Sequence, residues 1–159
     1  MTLPHSAFEE VEPTGRLAQL FEYWQKLRPG ALPRKTDIEL MEISPSVLPH
    51  VFLVDVLENS TRFRWRLIGK HIVRHAGTDD TGLDLGISIA PAMRSVILDH
   101  YQRVVNERHA LCHRGRFVGR DHRTYGYERL LLPVLAADGA SVDTVLGGAV
   151  FVVDPHTGM

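Results

Sequence analysis

One cysteine, Cys112, stands among 159 residues, so the chain can close no internal disulfide and must hold its fold by packing alone. No basic, apolar, small-residue run of the signal-peptide kind opens it. Its longest apolar stretch, Val145 to Val153, falls far short of the roughly 18 residues a membrane helix needs. These absences lead to the expectation of a cytoplasmic protein with no membrane partner. Charge of neither sign prevails: 18 Lys and Arg against 19 Asp and Glu leave a formal net charge of -1, which gives nucleic acid no bulk attraction. Also missing are the signatures G-x-S-x-G, H-E-x-x-H, G-x-G-x-x-G and the phosphate loop G-x-x-x-x-G-K followed by Ser or Thr. Nothing in the sequence therefore argues for an enzyme.

What is present reads as an ordinary globular chain. Apolar residues make up 44% and charged residues 23%, a balance that supports a folded core, and the length suits one domain. Nine histidines allow the charge to rise on acidification, because imidazole titrates near pH 6.5. Positive charge concentrates in residues 62–129, which hold thirteen basic and seven acidic side chains. There Arg62, Arg64 and Arg66 alternate with Phe63, Trp65 and Leu67, the period of a strand with one wet face. Arginines on an edge strand block pairing with another sheet, a reading that outweighs a nucleic-acid surface.

Residues 1–13 mix Pro, His and Glu without period and are expected to be disordered. From Thr14, a good N-cap, the residues Leu17, Leu20, Phe21, Trp24 and Leu27 form the apolar stripe of a helix that Pro29-Gly30 stops. Residues 14–50 thus read as this helix and a packed linker, with short turns between Thr36 and Ile43 and a Ser44-Pro45 helix start. Val51 to Leu57 and Arg62 to Ile68 flank the turn Glu58 to Thr61 and predict an antiparallel hairpin. Lys70 to Ala76 predicts a short helix closed by Gly77, Thr78 to Gly86 is turn-like, and Pro91 starts a long helix that ends by Arg108. Three strands follow, Leu111 to Val118, Thr124 to Leu135 and Thr144 to Val153, parted by Gly119 to Arg123 and by the Asp138-Gly139 turn. The fold class is therefore α+β. Residues 51–154 form a five-stranded antiparallel sheet with crossover helices on one face, preceded by the N-terminal helix and followed by a tail at 155–159.

This order resembles the PAS domain family, and its short motifs resemble a bacterial single-domain branch of it. They are the helix end Trp24 to Gly30, Leu32-Pro33 before Thr36-Asp37-Ile38, Leu48-Pro49-His50 at the first strand, and Phe63 to Gly69. The turn Gly77 to Gly82, Gly115-Arg116, Glu128 to Pro133 and Leu146-Gly147-Gly148 complete them. The likeness runs from about residue 17 to 153, and the joint order of the motifs carries it. It implies the strand order second, first, fifth, fourth, third, with the Arg62 and Leu111 strands on opposite edges. It also implies a sensory or regulatory module that binds a small molecule or a signalling protein in trans. Members often dimerise through such a helix, here by Leu17, Leu20, Phe21 and Trp24. That stripe must cover either its own sheet or a second subunit.

Phe63, Trp65, Leu67, Leu111, Phe117, Tyr125 and Tyr127 fall on alternating positions, and plain core filling is the simpler reading of them. A ligand pocket would draw on Trp65, His75, Tyr127 and Arg129 for its polar contacts. The sequence identifies no cofactor. The alternative function, a haem- or metal-binding redox sensor, would use His100 on the long helix or His71, which shares a helix face with His75. His109, Cys112 and His113 have metal-donor atoms, but strand alternation sends Cys112 and His113 to opposite faces, so no metal site is expected. Glu128 and Arg129 part in the same way and make no acid–base pair. The light-sensing members of the resembled family need an Asn-Cys-Arg-Phe setting on a crossover helix. Ala110-Leu111-Cys112-His113 is not one, so Cys112 reads as a small core residue.

Overall fold

Strand alternation sorts the apolar side chains onto two faces of one sheet, and each face is covered by a different helix. The computed structural model describes residues 8–118 and 122–153. Residues 1–7, Gly119 to Asp121 of the expected turn, Asp154 at the end of the expected core, and the tail at 155–159 lie outside them. The chain runs β1 (Phe8–Glu10), α1 (Gly15–Leu27), three single 3-10 turns, then β2 (Val51–Leu57) and β3 (Arg62–Ile68). The crossover is α2 (Lys70–Ala76), α3 (Leu85–Ser88) and α4 (Pro91–Glu107), and β4 (Leu111–Val118), β5 (Thr124–Leu135) and β6 (Val142–Val153) complete the sheet.

The sheet order is β1-β4-β5-β6-β2-β3, with every pairing antiparallel. The five expected strands thus keep their expected order, but β1 adds a sixth beside β4. Phe8 pairs with Gly115 and Glu10 with His113, and the Glu10 carboxylate holds Arg103 of α4 at 3.1 Å. Residues 8–10 are therefore ordered where disorder was expected, and β4 is not an edge. Three residues are too few for a period to register in sequence. The other edge, β3, is blunted by the chain at 82–84: Trp65 N–H donates to Leu83 O at 3.0 Å and Gly82 N–H to Trp65 O at 2.7 Å. Its arginines meet carboxylates. Arg62 holds Glu58 and Asp84, Arg64 bonds Asp55, and Arg66 Nη2 makes a charge contact with Asp55 Oδ1 at 2.6 Å whose angle falls short of a hydrogen bond.

On one face Phe52, Val54, Phe63, Leu131 and Val145 pack against Ile97, Tyr101 and Val104 of α4. On the other, Val51, Leu130, Leu132 and Leu146 pack against Leu17 and Leu20 of α1. Both leucines are fully buried within their own chain, worth about 2 kcal/mol each. Trp24 donates its indole N–H to Pro133 O at 3.0 Å. The helix stripe therefore covers its own sheet, and Leu17 and Leu20 cannot serve the dimer contact expected of them.

Gly147 and Gly148 let both helix-bearing faces close. A Cβ on Gly147 would stand 2.1 Å from the Phe52 ring, and one on Gly148 2.8 Å from Leu17 Cδ2 and 2.9 Å from Leu20 Cδ2. Two local expectations change. Thr14 occupies the N-cap position but sends its hydroxyl to Glu128 Oε2 at 3.2 Å, not to the helix. Within the turn-like 78–86 stretch, Asp84 caps a helix, α3, by accepting from Gly86 N–H at 2.9 Å.

Candidate ligand pocket

The α4 side of the sheet is not packed solid. A pocket of about 310 Å³ lies there, walled by Ile89, Met93 and Ile97 above, Ile72 of α2 at one end, and Phe52 and Phe151 of the sheet below. Hollows of 380 and 470 Å³ lie along the α1 side of the sheet, but charged residues such as Arg16, Arg114, Glu10 and Glu12 line them. An apolar wall with a few polar groups is the usual character of a small-molecule site. The polar groups here come from Trp65 of β3, Ser88, Tyr101 of α4, and Tyr127 and Arg129 of β5.

Arg129 reaches this side because alternation along β5 separates it from Glu128. The Glu128 carboxylate faces the α1 side, where it accepts from Arg114 at 2.7 Å and from Thr14. Arg129 is only 7% exposed. Its Nη2 lies 2.6 Å from His100 Nδ1, and its guanidinium sits over the Tyr101 ring, 5.7 Å from the centroid. A guanidinium has donors only, so His100 Nδ1 accepts, and the neutral imidazole carries its proton on Nε2. The Arg129 Nε is buried without a hydrogen-bond partner among the described residues, and no carboxylate among them pairs with this guanidinium. Trp65 Nε1 is likewise buried and without a partner among the described residues.

Behind Arg129 the rings of His100 and His113 stack at 3.8 Å and 15°. Phe8 of β1 closes over them, its ring 5.5 Å from His100 and 6.1 Å from Tyr127. Burial, and then the charge of Arg129, push His113 down to about 4. Burial pushes the Tyr101 phenol up to about 12 and raises Tyr127 as well, so both are neutral hydroxyls.

Of the four expected pocket residues, Trp65, Tyr127 and Arg129 line it, and His75 does not. Its imidazole stacks on Phe151 at 4.1 Å and meets Tyr125 edge-on at 4.6 Å, one ring removed from the space. The expected haem ligands do not line it either. His100 stands behind Arg129, and His71 packs on His50 at 4.3 Å, whose Nδ1 lies 3.2 Å from Ala149 O. Cys112 and His113 do face opposite sides. Cys112 belongs to the α1-side core, its thiol pushed up to about 11 by burial. No group of three or more His, Cys, Asp or Glu that could hold a metal occurs among the described residues.

Sequence reasoning missed three residues of this region. Tyr101 was visible only as part of the α4 stripe, and Phe8 lay in a stretch without period. His113 becomes a neighbour of the pocket arginine because the β4–β5 register sets it opposite Arg129. No local pattern encodes that register.

An antiparallel sheet interrupted by a helical crossover, with a pocket between sheet and crossover, defines a PAS-type domain. Residues 14–150 match the PAS domain family, and the chain belongs to it. Its fold is similar to that of a variant of Vivid, at a TM-score of 0.52 and 10% identity over 96% of this chain and 98% of that one. It is also similar to a sensory box histidine kinase/response regulator from Burkholderia thailandensis, at a TM-score of 0.45 and 17% identity over 74% of this chain and 88% of that one. An RNA-binding light-oxygen-voltage receptor matches at a TM-score of 0.48 and 18% identity over 77% of this chain, which spans 36% of that receptor. Among curated proteins none matches significantly. No helix among the described residues is long and apolar enough to cross a membrane.

Proposed function

We propose that the protein is a sensory module that takes a small molecule into the pocket under α4 and passes the result to a signalling protein in trans. The observation that carries this reading is the pocket itself. It is apolar on most sides, and one buried guanidinium, two phenols and an indole converge on it. Occupancy would bear on α4 through Met93, Ile97 and Tyr101, and on α2 through Ile72, which gives a ligand direct leverage on the crossover. A second copy, if the protein dimerises through α1, meets the half-buried Phe21–Trp24 stack, whose rings lie 5.8 Å apart, and not the leucines beneath. Covalent flavin photochemistry has no support from Cys112, which lies on the far side of the sheet from the pocket.

Native and denaturing mass spectra of protein purified without added cofactor, together with its visible absorbance, test the reading. The expected result is an organic mass present in the native spectrum, lost on denaturation, without a Soret band. A Soret band establishes the haem-sensor alternative. A clean mass, with no thermal stabilisation by any of a set of small acids, amides and alcohols, overturns ligand sensing and leaves protein interaction.

A further inference from the structure

Resting on that reading of the pocket, we infer that its ligand is a small organic carboxylate with a flat or short apolar body, its anionic end held by Arg129. A guanidinium is a permanent cation in proteins, so Arg129 brings a full positive charge into the wall. Buried charges are normally paired, because leaving water is costly. Arg129 is 7% exposed, yet its described contacts are a neutral imidazole nitrogen and a phenol ring. Nη2 is engaged with His100, Nε has no partner among the described residues, and no carboxylate among them offsets the charge. Among the described residues, the titratable groups around Arg129 do not supply it with an anion: the carboxylate of Glu10, which acts on the neighbouring His113, is paired with Arg103 at 3.1 Å. His100 and His113 can only be neutral or positive, and the hydroxyls of Tyr101 and Tyr127 are held neutral by burial.

Among the described residues, no negative charge in the pocket that Arg129 lines matches its guanidinium, and the rest of the wall says what the matching charge would be attached to. Phe52, Trp65 and Phe151 offer aromatic surfaces on the sheet side, and Met93 and Ile97 offer adaptable apolar ones on the helix side. A volume of about 310 Å³ is at the lower end of the roughly 300–1,000 Å³ usual for small-molecule sites. One arginine matches a monoanionic carboxylate in fork geometry, whereas a phosphate dianion calls for more donors than this wall presents.

The test uses the full chain and pairs of probes differing only in charge: benzoate against benzamide and hexanoate against hexanamide, with inorganic phosphate as a third kind of anion. Calorimetric titration and thermal shift are read for wild type, Arg129→Gln and Arg129→Lys, with circular dichroism confirming that each variant folds. The expected result is carboxylate binding at least roughly tenfold tighter than amide binding in wild type. Arg129→Gln abolishes that preference and Arg129→Lys keeps part of it. If neither variant folds, the acid–amide ratio in wild type decides alone. Equal affinity for acids and amides overturns the carboxylate assignment while leaving a ligand pocket in place, and so does a stronger response to phosphate. Silence from every probe overturns it too, and a clean native mass beside that silence removes the pocket reading as well.

Discussion

The Nη2 atom of Arg129 lies 2.6 Å from Nδ1 of His100, and this contact ties β5 to α4 at the edge of the pocket. It exists only while His100 is neutral at Nδ1, because the guanidinium has no lone pair to offer in return. A ligand that draws the Arg129 side chain towards itself therefore competes with a bond that positions α4. The chemistry of the pocket and the placement of the crossover helix are thereby linked through one side chain.

The histidine behind that contact gives a pH signature. His113 faces His100 and Arg103 of α4, Arg129 of β5 and Glu10 of β1, and burial holds its folded-state value near 4. The unfolded chain takes up the proton near pH 6.5. Its contribution is thus complete above pH 6.5, is lost as pH falls from 6.5 towards 4, and is flat below, roughly 3 kcal/mol in all. Urea unfolding at pH 7 and pH 5 checks this. His113→Phe, which keeps a ring against His100, should lose about 2 kcal/mol less than wild type between the two. An unchanged difference would show that His113 is not the group involved. His50, lowered by burial as well, leaves some residual slope.

The strand β1 should behave as a latch over the histidines. Phe8→Ala removes the ring that closes on His100 and Tyr127, a loss of about 1 kcal/mol. The Val11 amide, which donates to Cys112 O at 3.0 Å, should exchange faster in the variant. The amide of Leu130, in the middle of the sheet, should not. Equal acceleration at both would mean that β1 supports the whole fold.

The paired glycines of β6 make a graded prediction. Gly147→Ala drives a methyl into the Phe52 ring and should cost at least roughly 1–3 kcal/mol in denaturant unfolding. Gly148→Ala presses on the methyl ends of Leu17 and Leu20, which can shift, and reaches the His50 carbonyl oxygen at an ordinary 3.5 Å, so it should cost less. The reverse order would contradict the packing described for the two faces.

Two substitutions on α1 separate its inner and outer roles. Leu17→Ala opens the core beneath the helix and should destabilise the chain by about 3 kcal/mol. Phe21→Glu, on the half-buried side, should lower the sedimentation mass with a smaller change in melting temperature if α1 joins two copies. An unchanged mass confines α1 to its own sheet.

The sequence made some of this legible and hid the rest for physical reasons. The hairpin of β2 and β3 was plain because alternation and a four-residue turn are local signals, and Pro91 with its stripe marked α4 in the same way. Alternation was also enough to part Glu128 from Arg129, but which of the two faces α4 comes from the structure. The short elements β1 and α3 gave no periodic signal. The contact of Arg129 with His100, and the placing of His113 beside them, depend on the register of β4 against β5 and on where α4 crosses the sheet. Sequence periodicity leaves both open. His75 is a reasonable polar side chain for the pocket by residue type, but α2 turns its ring onto Phe151 instead.

Methyl NMR on protein labelled at Ile and Met, titrated with benzoate, is the most direct test of a ligand site under α4. Ile72, Met93 and Ile97 line the pocket, whereas Ile43 lies in the separate core beneath α1 and reports on unrelated change. Saturating shifts at the three pocket methyls with Ile43 unmoved are the predicted result. Shifts shared equally by Ile43, or none at any methyl while other small acids and amides are also silent, would contradict it.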